Sequence, residues 1–542
     1  MNLMMKNIYS ILKKYKYFIL FLIIGLLIFC YPMLKSNFDL MPGDSLDVKL
    51  FTYILEHSFL WLIKTPSHFD FWSAPFFYPF ENNLAFSDVT LIIMPFYWFL
   101  RIFFEPFSAL QALLIVLCVL NYSTFYYLLA RQFKYCDLAS SVGAFIFAFG
   151  LMRYFKMVHL NYYAQFATIL SLIFLLKVNK NNSKLKNNFY FALFVLFLAL
   201  QFYSCYLQGY CFCLVGLLGV IISLYRSDLR KEIFEFFKNF YIYIIGYFAL
   251  FIILLLPLAL KYLDVGVIRT IDEINLFLQN QFAWIRSQSI LDNLFLKNLA
   301  LVDFYDSKEF CASSGIITTL ISIFAISKMK KLRGVLYFLL IFIFLTSCSV
   351  NSFCLWHYLY NILPGATGIR VIVRICFIAL IIISFALAHF VQYLQNKKEN
   401  YSKIILIISI LFILIEQIPY YNDPNSAWEN YSWSKSEFIS QIDELSAKIP
   451  KDEKIVYFEL DYNNKKNEKL ANSNREIGFK SVVLANLLIM WATMKNNQYT
   501  LNGFSGIEKH VDDYRDYGAY KMRMIIDLDS GLNGGNISYA IK

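Results

Sequence analysis

Residues 17–33 read YFILFLIIGLLIFCYPM, an uninterrupted apolar run preceded by Lys6, Lys13, Lys14 and Lys16. The pattern of basic residues before an apolar stretch is shared by signal peptides and first membrane helices. No small-residue cleavage site follows, and Phe29 before Cys30 is wrong for a lipoprotein site, so the run is expected to stay as a first membrane helix. Similar runs recur down the chain at roughly 108–130, 138–152, 163–177, 188–204, 209–225, 240–262, 314–327, 335–348, 371–394 and 404–420. Together they predict a polytopic membrane bundle of about eleven crossings, mainly α-helical.

Composition agrees. The 542 residues are 58% hydrophobic, 19% aromatic and only 16% charged, against about 25% charged in soluble domains. The net charge of +11 does not point to nucleic acid. Lys and Arg lie in short clusters between apolar runs, in residues 1–16, at Arg131 and Lys134, and in 177–186, 226–238, 328–333 and 397–403. Every second connection is basic, the arrangement by which a membrane protein is oriented with those loops in the cytoplasm. Counting 89–104 as a further span would invert that alternation, and Arg101 with Pro95 and Pro106 suits an interfacial or re-entrant helix instead.

The parity has a functional consequence. It places the long first loop (35–107), the short loop near 152–162, loops 263–313 and 348–370, and the tail after 420 on one outer face. Residues 1–420 then form the membrane domain. The polar tail, 421–542, is expected to be a small extracytoplasmic α/β domain, with strand-like runs at Lys454–Leu460 and Ile537–Ile541 and helix-like runs at Lys435–Ala447 and Ser481–Lys495. Cys348 and Cys354 fall in one outer loop, where a disulfide is an option. No CxxC or Cys/His ligand spacing occurs.

The candidate chemistry sits in those outer loops. Asp44, in MPGDSLD (41–47), can take a proton from an attacking hydroxyl or ligate a cation; the competing reading makes it a helix N-cap for Ser45–Leu62. The aromatic stretch FWSAPFFYPF (71–80) suits either an interfacial belt or the apolar face of a sugar. Arg370 and Arg374, four apart, are expected on one helical face, where arginine grips a phosphate bidentately or anchors the interface by snorkelling. His159 shares a tight loop with Arg153 and Lys156, as a structural or a substrate-bonding imidazole. Arg269 and Glu273 read as a surface ion pair or a headgroup contact.

GDSLD after the first helix, then FWSAPFFYPFENNLAFSD (71–88), the short loop with His159, and the later LPGATGIRVIVR (363–374) and LNGFSG (501–506) resemble the bacterial polytopic glycosyltransferases of the GT-C class. The resemblance lies in order and spacing over most of the chain. It implies transfer of a sugar from a polyprenyl-phosphate donor to a glycan, lipid or protein acceptor at the outer face of a bacterial inner membrane. An acidic residue of the first outer loop is functional in that class, and Asp44 is the matching position, with Asp47 and Asp88 behind it. Some members hold a divalent cation, magnesium or manganese, with such acids, which here would be Asp44 and Asp88. A clean DxD or ExD pair is missing from the later loops 263–313 and 348–370. The rival class is a transporter or flippase, or a non-catalytic envelope-assembly protein. Transporters carry ionisable groups at the midplane and internal repeats, whereas here the span centres are nearly charge-free and no repeat is visible.

Overall fold

The computed structural model describes residues 13–43, 46–157, 159–266, 268–285, 287, 289–295, 312–397, 399–419, 432–462, 475–506, 519–526 and 539–541. Asp44 lies outside the described residues. All the expected apolar segments are helical, and seven helices are long and apolar enough to cross a membrane: Lys16–Lys35, Pro106–Gln132, Leu160–Lys177, Lys184–Ser204, Tyr206–Ser223, Ser227–Val265 and Ile372–Asn396. Asp137–Phe149, Ile316–Lys328, Arg333–Ser347 and Asn400–Glu416 are apolar but shorter. The ambiguous segment 89–104 contains only a short 3₁₀ turn, Leu91–Ile93, and the eight-residue helix Met94–Arg101. Eight residues rise about 12 Å, less than half the hydrocarbon thickness. Arg101 ends that helix in a forked bond to Glu56, at 2.8 and 3.1 Å, and Tyr97 donates to the same carboxylate.

Two helices show what the apolar sequence is for. Asp137–Phe149 is buried almost throughout, and its Ala139, Ser140, Ser141, Gly143 and Ala144 let neighbours approach closely. A Cβ on Gly143 would fall 2.8 Å from the Ser384 carbonyl oxygen in the central helix Cys376–Asn396. Ser227–Val265 is the opposite case. Its 39 residues, about 58 Å of helix, bury only 6% of their apolar window. A helix that is apolar all round and still exposed has lipid as its solvent.

At one end of the bundle the first loop and the tail fold together. Leu40–Pro42 pairs antiparallel with Ser432–Ser434. Further along, Thr500 N–H donates to the Pro75 carbonyl, Tyr78 N–H to Thr500 and Phe77 N–H to Asn502. The tail carries a four-stranded sheet in the order Tyr499–Thr500, Ile455–Tyr462, Tyr520–Ile526, Tyr539–Ile541, with only the last pair antiparallel. Helices Lys435–Lys448 and Arg475–Lys495 complete it. Asn502 mimics a strand residue: its side-chain oxygen accepts from Phe458 N–H while its amide donates to the Phe458 carbonyl. Lys49 of the first-loop helix Asp47–Leu62 is fully buried, its ammonium 4.6 Å from the Trp433 ring and 3.8 Å from Phe438. The tail is therefore packed onto the first loop through one continuous apolar core.

Cys348 and Cys354 are both buried free thiols, donating to the Phe344 and Thr346 carbonyls respectively.

Candidate functional site

The first-loop helix begins at Asp47, with Leu46 in the cap position and no side-chain cap. Asp47 retains about a third of its side-chain surface and reaches His159, Oδ2 to Nδ1 3.2 Å. On the far side of the same imidazole, Arg374 Nη2 lies 2.7 Å from His159 Nε2. A guanidinium has only donors, so Nε2 accepts, and the imidazole is neutral with its proton on Nδ1, pointed at Asp47. Arg374 Nη1 also donates to Tyr162 Oη at 3.1 Å, and the guanidinium stacks 5.0 Å over that ring.

The loop that presents His159 is built around a different arginine. Arg153 is fully buried. Its Nε donates to the Phe147 carbonyl, Nη1 to the Tyr162 carbonyl and Nη2 to Gln165. Charge-assisted bonds to the last turn of helix Asp137–Phe149, to the loop carbonyl of Tyr162 and to Gln165 make Arg153 the frame that ties the loop to its flanking helix.

Asp88 closes the cluster. Its Oδ2 accepts from Asn161 and its Oδ1 from the Tyr206 N–H at 3.3 Å. Part of the side chain remains open, yet it sits deep in protein. Desolvation pushes its carboxyl above the usual range, against the opposite pull of Asn161, Tyr206 and the nearby Arg374 charge. The lipid-facing helix is tied in here too, because Tyr262 Oη donates to the Ser87 carbonyl at 2.7 Å.

A second cluster adjoins the first. Arg269 Nη1 bonds Glu273 at 2.8 Å, while Nη2 donates to the Gly506 carbonyl of the tail at 3.1 Å. Arg269 N–H donates to Thr367, and the Tyr360 hydroxyl to the Arg269 carbonyl. Arg370 makes a looser pair with Glu273 at 3.7 Å, lies over the Phe277 ring and keeps 37% of its side chain exposed. Tyr206 links the clusters, with its backbone on Asp88 and its hydroxyl on the Gly365 carbonyl at 3.0 Å.

One expectation is corrected. Arg370 and Arg374 do not share a helical face. Pro364–Gly365 turns the chain, Val371 is non-helical, a 3₁₀ turn runs Ile372–Ile375, and the α-helix starts only at Cys376. The two guanidinia consequently diverge, Arg370 to Glu273 and Arg374 to His159. The structure thus brings Asp47, Asp88, His159 and Arg374 into one cluster and Arg269, Glu273 and Arg370 into its neighbour. Asn161, Tyr162 and Tyr206 are partners that the sequence reading passed over; Asn161, two residues after His159 in a tight loop, was the accessible signal. Among the described residues no three His, Cys, Asp or Glu side chains converge.

No family model and no curated protein matches the chain. Among solved structures it is similar to the archaeal oligosaccharyltransferase AglB from Archaeoglobus fulgidus, solved in complex with an inhibitory peptide and a dolichol-phosphate. The likeness covers 98% of this chain and 75% of that one, with 12% identity and a TM-score of 0.44.

Proposed function

We propose that this chain is a membrane glycosyltransferase of GT-C type that moves a sugar from a polyprenyl-phosphate donor to an acceptor hydroxyl, or to a protein acceptor, at the outer face of a bacterial inner membrane. The observation that carries the reading is the meeting of Asp47, Asp88, His159 and Arg374 at one end of an apolar bundle, beside a helix whose outer end is bonded to the Asp88 segment. Carboxylates, a neutral imidazole and guanidinia at a membrane surface can accept a proton and neutralise a lipid phosphate in one place.

In this reading the acceptor oxygen attacks the anomeric carbon while the bond to the donor phosphate breaks, and the electron pair leaves with polyprenyl phosphate. The acceptor's proton passes to Asp44, three residues before Asp47 in the chain. Direct displacement inverts the anomeric centre. Arg370, the more exposed guanidinium, takes the phosphate, with Arg374 behind it. Asp47 and His159 orient the acceptor, Asp88 holds Asn161 and Tyr206 in place, and Arg269 with Glu273 contacts the donor headgroup. No step is routed through a divalent cation.

The test compares lipid-linked and finished glycans by mass spectrometry in cells with and without the protein, and with Asp44→Asn. Loss of one transfer product and build-up of its lipid-linked donor is expected in both deficient strains, with the variant inserted normally in the membrane. Unchanged glycans, or an Asn variant with full transfer, would overturn the assignment.

A further inference from the structure

Beside the second cluster lies a cavity of about 490 Å³ that the reaction above does not use. Its polar wall is Gln279, Asn280, Gln281, Ser349, Asn351 and Ser352, with Leu276 and Leu278 as the apolar part. The volume falls within the ~300–1,000 Å³ of small-ligand clefts, and among the described residues the lining contains no charged side chain.

Two short segments make this wall. Gln279–Asn280 pairs in parallel with Cys348–Ser349. The chain then reverses in a two-residue hairpin, in which Val350 and Phe353 exchange both backbone bonds at 2.9 Å. Asn351 and Ser352 hold the turn with φ of 49° and 69°. Positive φ at both central positions is the type I′ geometry, where Asn-Gly or Gly-Gly is easiest. Serine at the second position costs free energy relative to glycine, and its side chain lines the cavity. Directly after Ser352, the exposed Phe353 ring packs on the exposed Tyr358 ring, centroids 5.7 Å apart.

We propose that this cavity is a subsite for the neutral oligosaccharide portion of the donor, binding sugar units that lie beyond the one bonded to the phosphate and move with it. The inference rests on the glycosyltransferase reading, because it gives the glycan its reason to be here. Primary amides and hydroxyls donate and accept at once, which matches sugar hydroxyls, and the described lining supplies no charge to balance a phosphate or a cation. The segment that carries Leu276–Gln281 also carries Phe277, under the Arg370 guanidinium. A glycan lying in the cavity would therefore continue from a donor phosphate held at Arg370.

The experiment uses the full chain in lipid nanodiscs, fluorescently labelled, against a printed array of neutral oligosaccharides, anionic oligosaccharides and short peptides. Two variants are compared: the pair Asn351→Gly with Ser352→Gly, which removes both polar side chains while giving the turn its preferred residues, and Gln279→Leu. Binding to at least one neutral class is expected, weakened about tenfold or more in both variants, with unfolding temperatures held within a degree or two of the parent. Absence of neutral-glycan binding, equal binding by the variants, or binding confined to peptides or anionic glycans overturns the proposal. The two readings separate cleanly. Variant-sensitive glycan binding without any transfer in the glycan comparison supports the subsite and refutes the transferase; transfer without such binding does the reverse.

Discussion

Arg374 offers the sharpest test of the site. Its guanidinium makes two bonds from one planar fork, to His159 at 2.7 Å and to Tyr162 at 3.1 Å, and its charge stabilises the ionised form of Asp88. Lysine keeps the charge but offers only a single flexible ammonium, so Arg374→Lys loses the fork. A hydrogen bond involving an ionised group is worth about 1.5–3 kcal/mol. Losing one of the two slows transfer about 10- to 150-fold if the fork acts in the transition state. Arg374→Gln loses the charge as well. Removing a nearby cation disfavours the carboxylate, so the Asp88 carboxyl, already raised by burial, rises further. A step that needs ionised Asp88 gains rate as pH rises through that value, and in the Gln variant this acidic limb moves to higher pH. The assay is the initial rate of transfer from the host's own lipid-linked fraction by purified protein, across a pH series, for parent, Lys and Gln forms. A Lys variant at parental rate refutes the fork. A Gln variant whose acidic limb stays in place, or moves to lower pH, refutes the coupling to Asp88.

Two further perturbations follow from buried geometry. His57 and His68 face each other through their Nδ1 atoms at 2.7 Å, and His57 Nε2 donates to the Phe71 carbonyl. Burial drops His57 from 6.5 to about 4, and burial plus His57 drops His68 to about 2. Unfolded histidine binds a proton first, so stability is full above about pH 6.5 and declines as pH falls toward 4, by about 3 kcal/mol for His57. Thermal unfolding in detergent should show the decline in the parent and a flatter profile in His57→Gln with His68→Phe; identical slopes would count against it. Gly365 has a φ of 81°, and a Cβ there would fall 2.2 Å from the Tyr206 hydroxyl. Gly365→Ala should displace Tyr206, whose backbone holds Asp88, and reduce transfer about tenfold or more with little change in insertion. Parental activity in that variant would mean that the 363–370 turn and the Asp88 cluster are independent.

The helices were legible because lipid is a simple solvent: long apolar runs with basic residues between alternate pairs admit few foldings. The tail's helices and two of its strands could also be read, from runs such as Lys435–Ala447 and Lys454–Leu460, observed as Lys435–Lys448 and Ile455–Tyr462. The pairing of Leu40–Pro42 with Ser432–Ser434 could not, since three residues carry no period and the partner lies almost a whole chain away. The spacing of Arg370 and Arg374 misled for a related reason, because i,i+4 implies one face only inside an α-helix, and here a Pro-Gly turn and a 3₁₀ turn precede it. The site shows the same division. Asp47, Asp88, His159 and Arg374 are residue types that announce chemistry, whereas Asn161, the Tyr206 N–H and the Gly506 carbonyl, which hold such residues, are types found everywhere. What fixes the geometry is thus carried by amides and backbone groups brought from distant segments. A residue's type advertises reactivity, but its place in the reaction depends on those silent partners, which is why Asp88, read from sequence as a reserve ligand, is better understood as a partly open carboxyl, raised by desolvation, whose two oxygens accept from Asn161 and the Tyr206 N–H.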